Sequence, residues 1–492
     1  MSTATPAPRT FVDPTMLVDD ACAAALQASA RLALLAPARR ADLLDAIAAA
    51  LDAAGPDLVP IAMAESRLTQ VRLTGEVGRA SGQLRLMANV IRQGAYLGVT
   101  IDEADANLTP PRPDLRRMMI PLGPVAVFAA SNFPFAFSVL GNDTAAALAA
   151  GCPVVAKPNP GHPRLSQAVI AVAQGALAQA NAPKGMLTLI DSSLQAGIDL
   201  VRDDRIEAVG FTGSQRGGLA LAKIAADRPR PIPFFGELGS INPIVVTAEA
   251  LVARRSSIVE GFIGSFTLGA GQFCTKPGLL IAPVDSELRE ALRTGLAQAP
   301  DQAMLTDNIR DAFHHGLSLV ADTAVVTPIH VGHHVPETNT VTPSLYAVSA
   351  TDIVQHPHLL DECFGPTALL VEYAGEDDLR VLLEALPGVL AAGVQAQGDE
   401  SMLPVVLSEL TARAGRVIFN EWPTGVAVTW AMQHGGPFPA ATRPESTSVG
   451  AYAIDRFMRA VTWQSIPDAL LPQPLQHANP LQVPRRVNGV QH

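Results

Sequence analysis

Cys274 stands in Gly269-Ala-Gly-Gln-Phe-Cys-Thr-Lys276, a polar, glycine-bearing stretch between a predicted helix and a predicted strand. A thiol in such a loop has access to a ligand and backbone amides close by, which are the conditions a cysteine nucleophile needs. Cys363, in Glu362-Cys-Phe-Gly-Pro366, meets the same description. Most free cysteines are simply small buried hydrophobes, and composition does not separate the two. Glu237 lies in Phe234-Phe-Gly-Glu-Leu-Gly239, at the exit of an apolar strand. Desolvation there would raise its pKa toward neutrality, as suits a general base; a capping or solvated carboxylate is the plain alternative. Asn132, between Ser131 and Phe133-Pro134, offers an uncharged amide donor that could face an oxyanion, although most loop asparagines cap turns. The stretch Gly210-Phe-Thr-Gly-Ser-Gln-Arg-Gly-Gly218 is not the GxGxxG dinucleotide fingerprint. It is still a glycine-rich strand-to-helix turn, where backbone amides can approach a pyrophosphate. An ordinary turn accounts for it equally well.

Groups like these need rigid elements to hold them. Leu17 to Ala54, and Gly75 to Leu97, have helical texture. From Val125 the pattern changes to short apolar or β-branched runs at Val125 to Ala129, Pro153 to Ala156, Met186 to Ile190, Ala208 to Phe211 and Ile232 to Phe235, most of them separated by alanine-rich helical stretches. That alternation predicts βαβ units in a parallel sheet, whose usual guest is a nucleotide. A second alternating region begins near Asn242, with runs at Pro243 to Val246, Gly278 to Ala282, Leu369 to Glu372 and Val417 to Asn420 and a helix through Ile263. A second α/β domain follows, its boundary near Gly236 to Gly239. Ile120 to Gly141 carries no charge and is long enough to span a bilayer, but Pro121, Pro124 and Pro134 would break a helix through it. It is read as a buried strand, a loop and a helix start. The proline-bearing tail Trp463 to Pro484 is read as an extended arm.

Composition narrows the classes. A chain of 492 residues exceeds what one core supports. With 48% hydrophobic and 16% charged residues it is far from the composition of disorder. A net charge of -11, with no basic stripe to offset it, excludes a nucleic-acid partner. The four cysteines are widely spaced, which fits a reducing compartment. No basic segment leads into an apolar run at the N-terminus, so a cytoplasmic location is expected, with no membrane attachment. No metal site is expected.

Taken together, Ser131-Asn-Phe-Pro134, Ala156-Lys-Pro158, Gly210-Phe-Thr-Gly-Ser214, Glu237-Leu-Gly239, Gly271-Gln-Phe-Cys274 and Glu362-Cys-Phe-Gly-Pro366 resemble the aldehyde dehydrogenase superfamily, in its order and over nearly the whole chain. The resemblance implies that Cys274 attacks an aldehyde, with Asn132 and the Cys274 backbone N–H holding the oxyanion, and that Glu237 activates the water that hydrolyses the thioester. It also implies that Glu362 holds the nicotinamide ribose, Lys157 the adenosine ribose and Ser214 the pyrophosphate, with Gly213, Gly217 and Phe364 completing the cofactor-binding set. Cys363 corresponds to a variable position in the superfamily, which favours Cys274. The implied architecture is a parallel-sheet cofactor-binding domain over 1–110 and 122–236, a catalytic α/β domain over 237–437, and a small β arm over 111–121 and 462–484 through which copies form a homodimer or homotetramer.

A narrower likeness lies in Gly82-Gln-Leu-Arg-Leu86, Phe419-Asn-Glu-Trp-Pro-Thr-Gly425, His434-Gly-Gly-Pro-Phe-Pro439 and Ser446-Thr-Ser-Val-Gly450. These look like the branch that contains 2,5-dioxovalerate (α-ketoglutarate semialdehyde) dehydrogenases, which implies oxidation of 2,5-dioxopentanoate to 2-oxoglutarate. Fatty aldehydes, accepted by related members, are the alternative substrate class, and a non-catalytic scaffold of the same fold is the alternative from another class. Many NAD-preferring relatives carry a glutamate two positions after the Lys-Pro motif; here Pro160 takes that place. Loss of that carboxylate removes a repulsion against a 2′-phosphate, so NADP is the expected cofactor and NAD the alternative. For the far carboxylate of a keto-acid substrate, Arg85, Arg92 and Arg443 are the candidates.

Overall fold

The computed structural model describes residues 11–492. Its first sheet runs, in spatial order, Thr15–Met16, Leu187–Ile190, Val154–Lys157, Val125–Phe128, Ala208–Thr212, Phe234–Glu237, with every pair parallel. Val125–Phe128 and Leu187–Ile190 are buried at every residue. Strands covered on both faces read as continuous apolar runs, which is why these were legible. Strand order reverses at Val125–Phe128, which has Val154–Lys157 on one side and the later Ala208–Thr212 on the other. A crevice opens beyond the carboxyl ends of strands at such a switch point. The Asn132 loop and the Gly210 to Gly218 turn both emerge there.

The second sheet has the order Thr327–His330, Ser344–Ser349, Thr367–Tyr373, Leu279–Pro283, Pro243–Val246, Val389–Gln395, Ala414–Phe419. Its first strand is antiparallel to Ser344–Ser349 and the other pairings are parallel. Separate apolar cores cover its two faces.

The predicted helix over Leu17 to Ala54 is two helices, Val18–Leu32 and Pro37–Ser66. Pro37 opens the second, at a position whose N–H has no intrahelical partner to lose. That helix continues through Gly55, Pro56 and Pro60, where the sequence pattern suggested a stop, with Leu58, Val59 and Ala62 buried in the main core. Among the described residues it is the one helix long and apolar enough to cross a membrane by length and composition, although Leu43, Leu44, Ile47 and Leu51 are fully buried in the protein. Ile120 to Gly141 contains the end of the strand Leu115–Pro121, the strand Val125–Phe128 and a loop into the helix Asn142–Ala150.

The arm is larger than the sequence suggested. Its five-stranded sheet has the order Met458–Gln464, Leu115–Pro121, Val99–Asp102, Arg485–Val487, Val490–Gln491. Val99–Asp102 therefore pairs here and not with the first domain, and the C-terminal strands lie beyond 484. Between them the tail makes the short 3₁₀ turns Asp468–Leu470 and Gln473–Leu475. Buried Arg116 ties this segment down, donating to the Leu475 carbonyl at 2.6 Å and pairing with Asp114 at 2.9 Å.

Candidate active site

Two interlocked loops carry the thiol and one of the carboxylates. Gly269, Ala270 and Gly271 are consecutive residues with positive φ, so the chain coils tightly before Cys274. A Cβ at Gly271 would collide with the backbone of Gly365, so the close approach of the two loops requires glycine. Buried Asn242 donates its side-chain amide to the Cys274 carbonyl at 2.8 Å and the Lys276 carbonyl at 2.9 Å. Lys276 reaches the other way, its Nζ donating to the carbonyls of Cys363, Gly365 and Thr367 at 2.8, 3.1 and 2.7 Å. The position of Glu362 relative to Cys274 is thus fixed by hydrogen bonds.

Cys274 Sγ lies on the wall of a cleft of about 680 Å³ that is also lined by Asn132, Gly213, Ser214, Glu237, Glu362 and Phe364. Asn132 is buried, with Nδ2 donating to the Gln272 carbonyl at 3.1 Å, which aims its amide at the thiol-bearing loop. Cys363 faces elsewhere: its Sγ lies 3.8 Å from the Phe313 carbonyl and burial pushes its thiol up to about 11.

His434 was missed as a functional residue, though it heads the quoted His434-Gly-Gly-Pro motif. Its Nε2 lies 3.5 Å from Cys274 Sγ and 2.9 Å from Glu237 Oε1, with both His434 and Glu237 buried. Ser448 donates its hydroxyl to Glu237 Oε2. Burial holds the Cys274 thiol well above its ordinary range, the negative charges of Glu237 and Glu362 add to this, and the Arg79 guanidinium opposes it. The thiol is therefore protonated at neutral pH and requires a proton acceptor. His434 Nε2 stands in place for that.

The expected upward shift of Glu237 is overturned. Burial, the largest influence, does push its carboxyl up, but the charge of His434, hydrogen bonds from His434 and Ser448, and the charge of Arg456 together hold it below the ordinary carboxylate value. The sequence reading counted desolvation and lacked the partners. Glu237, Cys274 and His434 place their ligand atoms within 4.8 Å of one another, a donor set that could also hold a metal ion, which nothing in the sequence pattern suggested.

The other end of the cleft fits a dinucleotide. Ser214 caps the helix Gln215–Ala226, its hydroxyl accepting from the Gly217 amide at 3.3 Å, so this helix N-terminus opens toward the cleft. Gly217 is engaged in that cap and does not line the cleft, and neither does Lys157, which ends its strand within electrostatic reach of Asp191. Glu362 Oε1 is buried with no partner, an acceptor that ribose hydroxyls would satisfy. Burial raises the Glu362 carboxyl to about 7 against the opposing charge of Lys276. A charged acceptor makes the stronger hydrogen bond, so dinucleotide affinity should rise several-fold between pH 6 and pH 8 as Glu362 ionises. Calorimetric titration at several pH values checks this, with Glu362→Gln expected to flatten the dependence.

The three arginines suggested for the substrate's far end are elsewhere. Arg85 pairs with Asp52 at 2.6 Å and Arg92 with Asp42 and Asp45 at 2.8 and 2.7 Å, all partly exposed. Arg443 lines a different cavity with Glu445. The helix Gln70–Gln93 turns these faces outward and presents Arg72 and Arg79 to the phenylalanines near the thiol.

A family model described as the aldehyde dehydrogenase family matches residues 13–459. The α-ketoglutaric semialdehyde dehydrogenase 2 of Azospirillum brasilense is 45% identical over 92% of this chain and 87% of its own length. The α-ketoglutaric semialdehyde dehydrogenase of Acinetobacter baylyi is 42% identical over 96% of this chain and 91% of its own. Among solved structures, an NAD-dependent aldehyde dehydrogenase from Sinorhizobium meliloti superimposes with a TM-score of 0.76 at 22% identity, over 92% of this chain and 89% of that one.

Proposed function

The chain belongs to the aldehyde dehydrogenase family and uses a nicotinamide cofactor, and from that premise we propose that it oxidises 2,5-dioxopentanoate to 2-oxoglutarate with Cys274 as nucleophile. The observation that carries the mechanism is the run of contacts from Cys274 Sγ through His434 Nε2 to Glu237 Oε1 at 3.5 and 2.9 Å. The thiol proton passes to His434 Nε2 as Sγ attacks the aldehyde carbon, with the Glu237 carboxylate 2.9 Å away to stabilise it there, and the carbonyl oxygen, now an oxyanion, faces the Asn132 amide. The bound nicotinamide supplies the hydride acceptor. Glu237 then takes a proton from water, the hydroxide attacks the thioester carbon, and the acid leaves as the Cys274 sulfur is released and regains its proton from His434. When the cofactor is bound, Glu362 would hold a ribose, the amides around Gly213 and Ser214 would receive the pyrophosphate, Phe364 would border the nicotinamide end, and Lys157, just outside the cleft lining, would serve the adenosine ribose.

The substrate reading is supported by the names of the two relatives above 40% identity. Its test is turnover against a panel of keto-semialdehydes, dicarboxylic semialdehydes and long alkanals. We expect kcat/KM for 2,5-dioxopentanoate to exceed that for any alkanal by at least about tenfold; a preference for long alkanals would select the fatty-aldehyde alternative. Pro160, in place of a ribose-gripping carboxylate, supports NADP as the preferred cofactor. Asp191, whose charge reaches Lys157, favours NAD instead, and the two Michaelis constants decide between them. We further propose a cytoplasmic homodimer or homotetramer assembled through the arm sheet, whose Met458–Gln464 strand is an edge; sedimentation of the purified chain tests the assembly.

A further inference from the structure

Arg79 is a half-buried cation, and the mechanism above gives it no ligand. It projects from the helix Gln70–Gln93 over the rings of Phe133 and Phe137, at 5.5 and 5.2 Å from their centroids. Its Nε and Nη2 are buried with no hydrogen-bond partner. Buried polar groups are nearly always hydrogen-bonded, and buried charges are paired. The neighbouring cations do not share this condition: Arg72 Nη2 donates to the Asn132 carbonyl at 2.7 Å and Arg416 Nη1 to the Gly425 carbonyl at 3.0 Å. Glu76, on the same helix, commits Oε1 to the amides of Phe135 and Ala136 at 2.8 and 3.1 Å; its buried Oε2 has no hydrogen-bond partner, and its charge acts on Arg79 across a gap that no ion pair closes among the described residues. Arg79 is also within electrostatic reach of Cys274 and Glu237.

The surroundings are apolar and lie beside the cleft that Asn132 and Cys274 line. Phe133 packs against Phe137 and Phe273 with centroids 5.3 Å apart in each case, and Phe137 lies 6.1 Å from the His434 ring. Ala130, Ala136 and Val449 complete this apolar cluster. Such a box suits methylene groups, and the unpartnered donors of Arg79 suit a carboxylate held beyond them, because a guanidinium presents donors in a planar fork that matches two carboxylate oxygens.

We propose that Arg79 is the specificity-determining anchor for the distal carboxylate of the aldehyde substrate, binding it across the Phe133 and Phe137 rings while the aldehyde carbon meets Cys274. The proposal rests on the anionic-semialdehyde reading above and names the residue that enforces it. Arg79 acts in binding and orientation; no proton or electron passes through it.

The test compares 2,5-dioxopentanoate and glutaric semialdehyde, which carry a distal carboxylate, with pentanal, which does not. In Arg79→Met the ratio of kcat/KM for either anionic substrate to that for pentanal should fall about 100-fold, chiefly through KM for the anions, as expected for loss of a charge-assisted bidentate contact. Arg79→Lys should recover part of the ratio, since an ammonium keeps the charge and loses the fork, and it carries the test if the methionine variant does not fold. An unchanged ratio, or an equal loss on all three aldehydes, would overturn the assignment. So would a ratio that holds while the pH profile of Cys274 alkylation moves, because Arg79 would then act on the thiol and not on the substrate. If the unmodified enzyme does not favour 2,5-dioxopentanoate over pentanal, the substrate reading fails by itself; the glutaric semialdehyde ratio in Arg79→Met still decides the anchor.

Discussion

Replacing Cys274 by alanine is expected to lower kcat/KM for aldehyde oxidation by at least about 10⁴-fold, while dinucleotide affinity stays within about threefold. Removing a covalent nucleophile takes away the step that lets hydride leave from a tetrahedral carbon, and what remains is binding and oxyanion contact alone. The thiol is held at the cleft wall through the Asn242 bonds to the Cys274 and Lys276 carbonyls, which involve backbone and not Sγ. The loop should therefore keep its shape in the alanine variant, and Glu362, beside the Cys363 carbonyl that Lys276 holds, should not move. Cys363→Ala is the matched control: its Sγ packs by Phe313 outside the main cleft, so activity should stay within about threefold. Steady-state kinetics and dinucleotide titration read both variants. Turnover surviving in Cys274→Ala, or lost equally in Cys363→Ala, would remove the nucleophile assignment.

Sequence reading reached the framework because the physics there is local. Val125–Phe128 and Pro243–Val246 are apolar at every position, and a strand buried on both faces must be. The glycines before Cys274 and the capped turn at Ser214 likewise announce a loop and a helix start in their own residues. What escaped depends on meetings between distant segments. His434 reaches Cys274 across 160 positions, and Ser448 reaches Glu237 across 211. No periodicity encodes those contacts, so the direction of the Glu237 shift could not be read from its apolar flanks alone. Arg79 was hidden for a related reason. Arg85 and Arg92 belong to the same helix, and only packing decides which arginine turns toward Phe133 and Phe137 and which finds an aspartate at the surface. The arm failed on register: Val99–Asp102 and Leu115–Pro121 form an ordinary antiparallel pair, but the loop between them gave the sequence no marked hairpin turn.

Replacing Glu237 by glutamine should leave the first turnover and stall those that follow. The amide nearly matches the carboxylate in shape and can still meet the Ser448 hydroxyl, yet it cannot take a proton from water. General-base loss costs about 10²–10⁴-fold, so rapid mixing should show a burst of reduced cofactor approaching one per active site, then a steady rate about 10³-fold lower, with the thioester visible by mass spectrometry of the quenched enzyme. The pH dependence separates Glu237 from its partner. His434 and Ser448 hold the carboxyl below its ordinary value, so Glu237 stays ionised through neutral and mildly acidic pH, and the base is lost only as pH falls through that lowered pKa. The acid limb of thioester hydrolysis in the unmodified enzyme should therefore lie below the ordinary glutamate range. In His434→Asn the charge and its hydrogen bond are gone, burial dominates, and the limb should move upward toward neutrality. A Glu237→Gln enzyme with an undiminished steady rate would take the base role from Glu237, and an acid limb unmoved in His434→Asn would take from His434 its hold on that carboxylate.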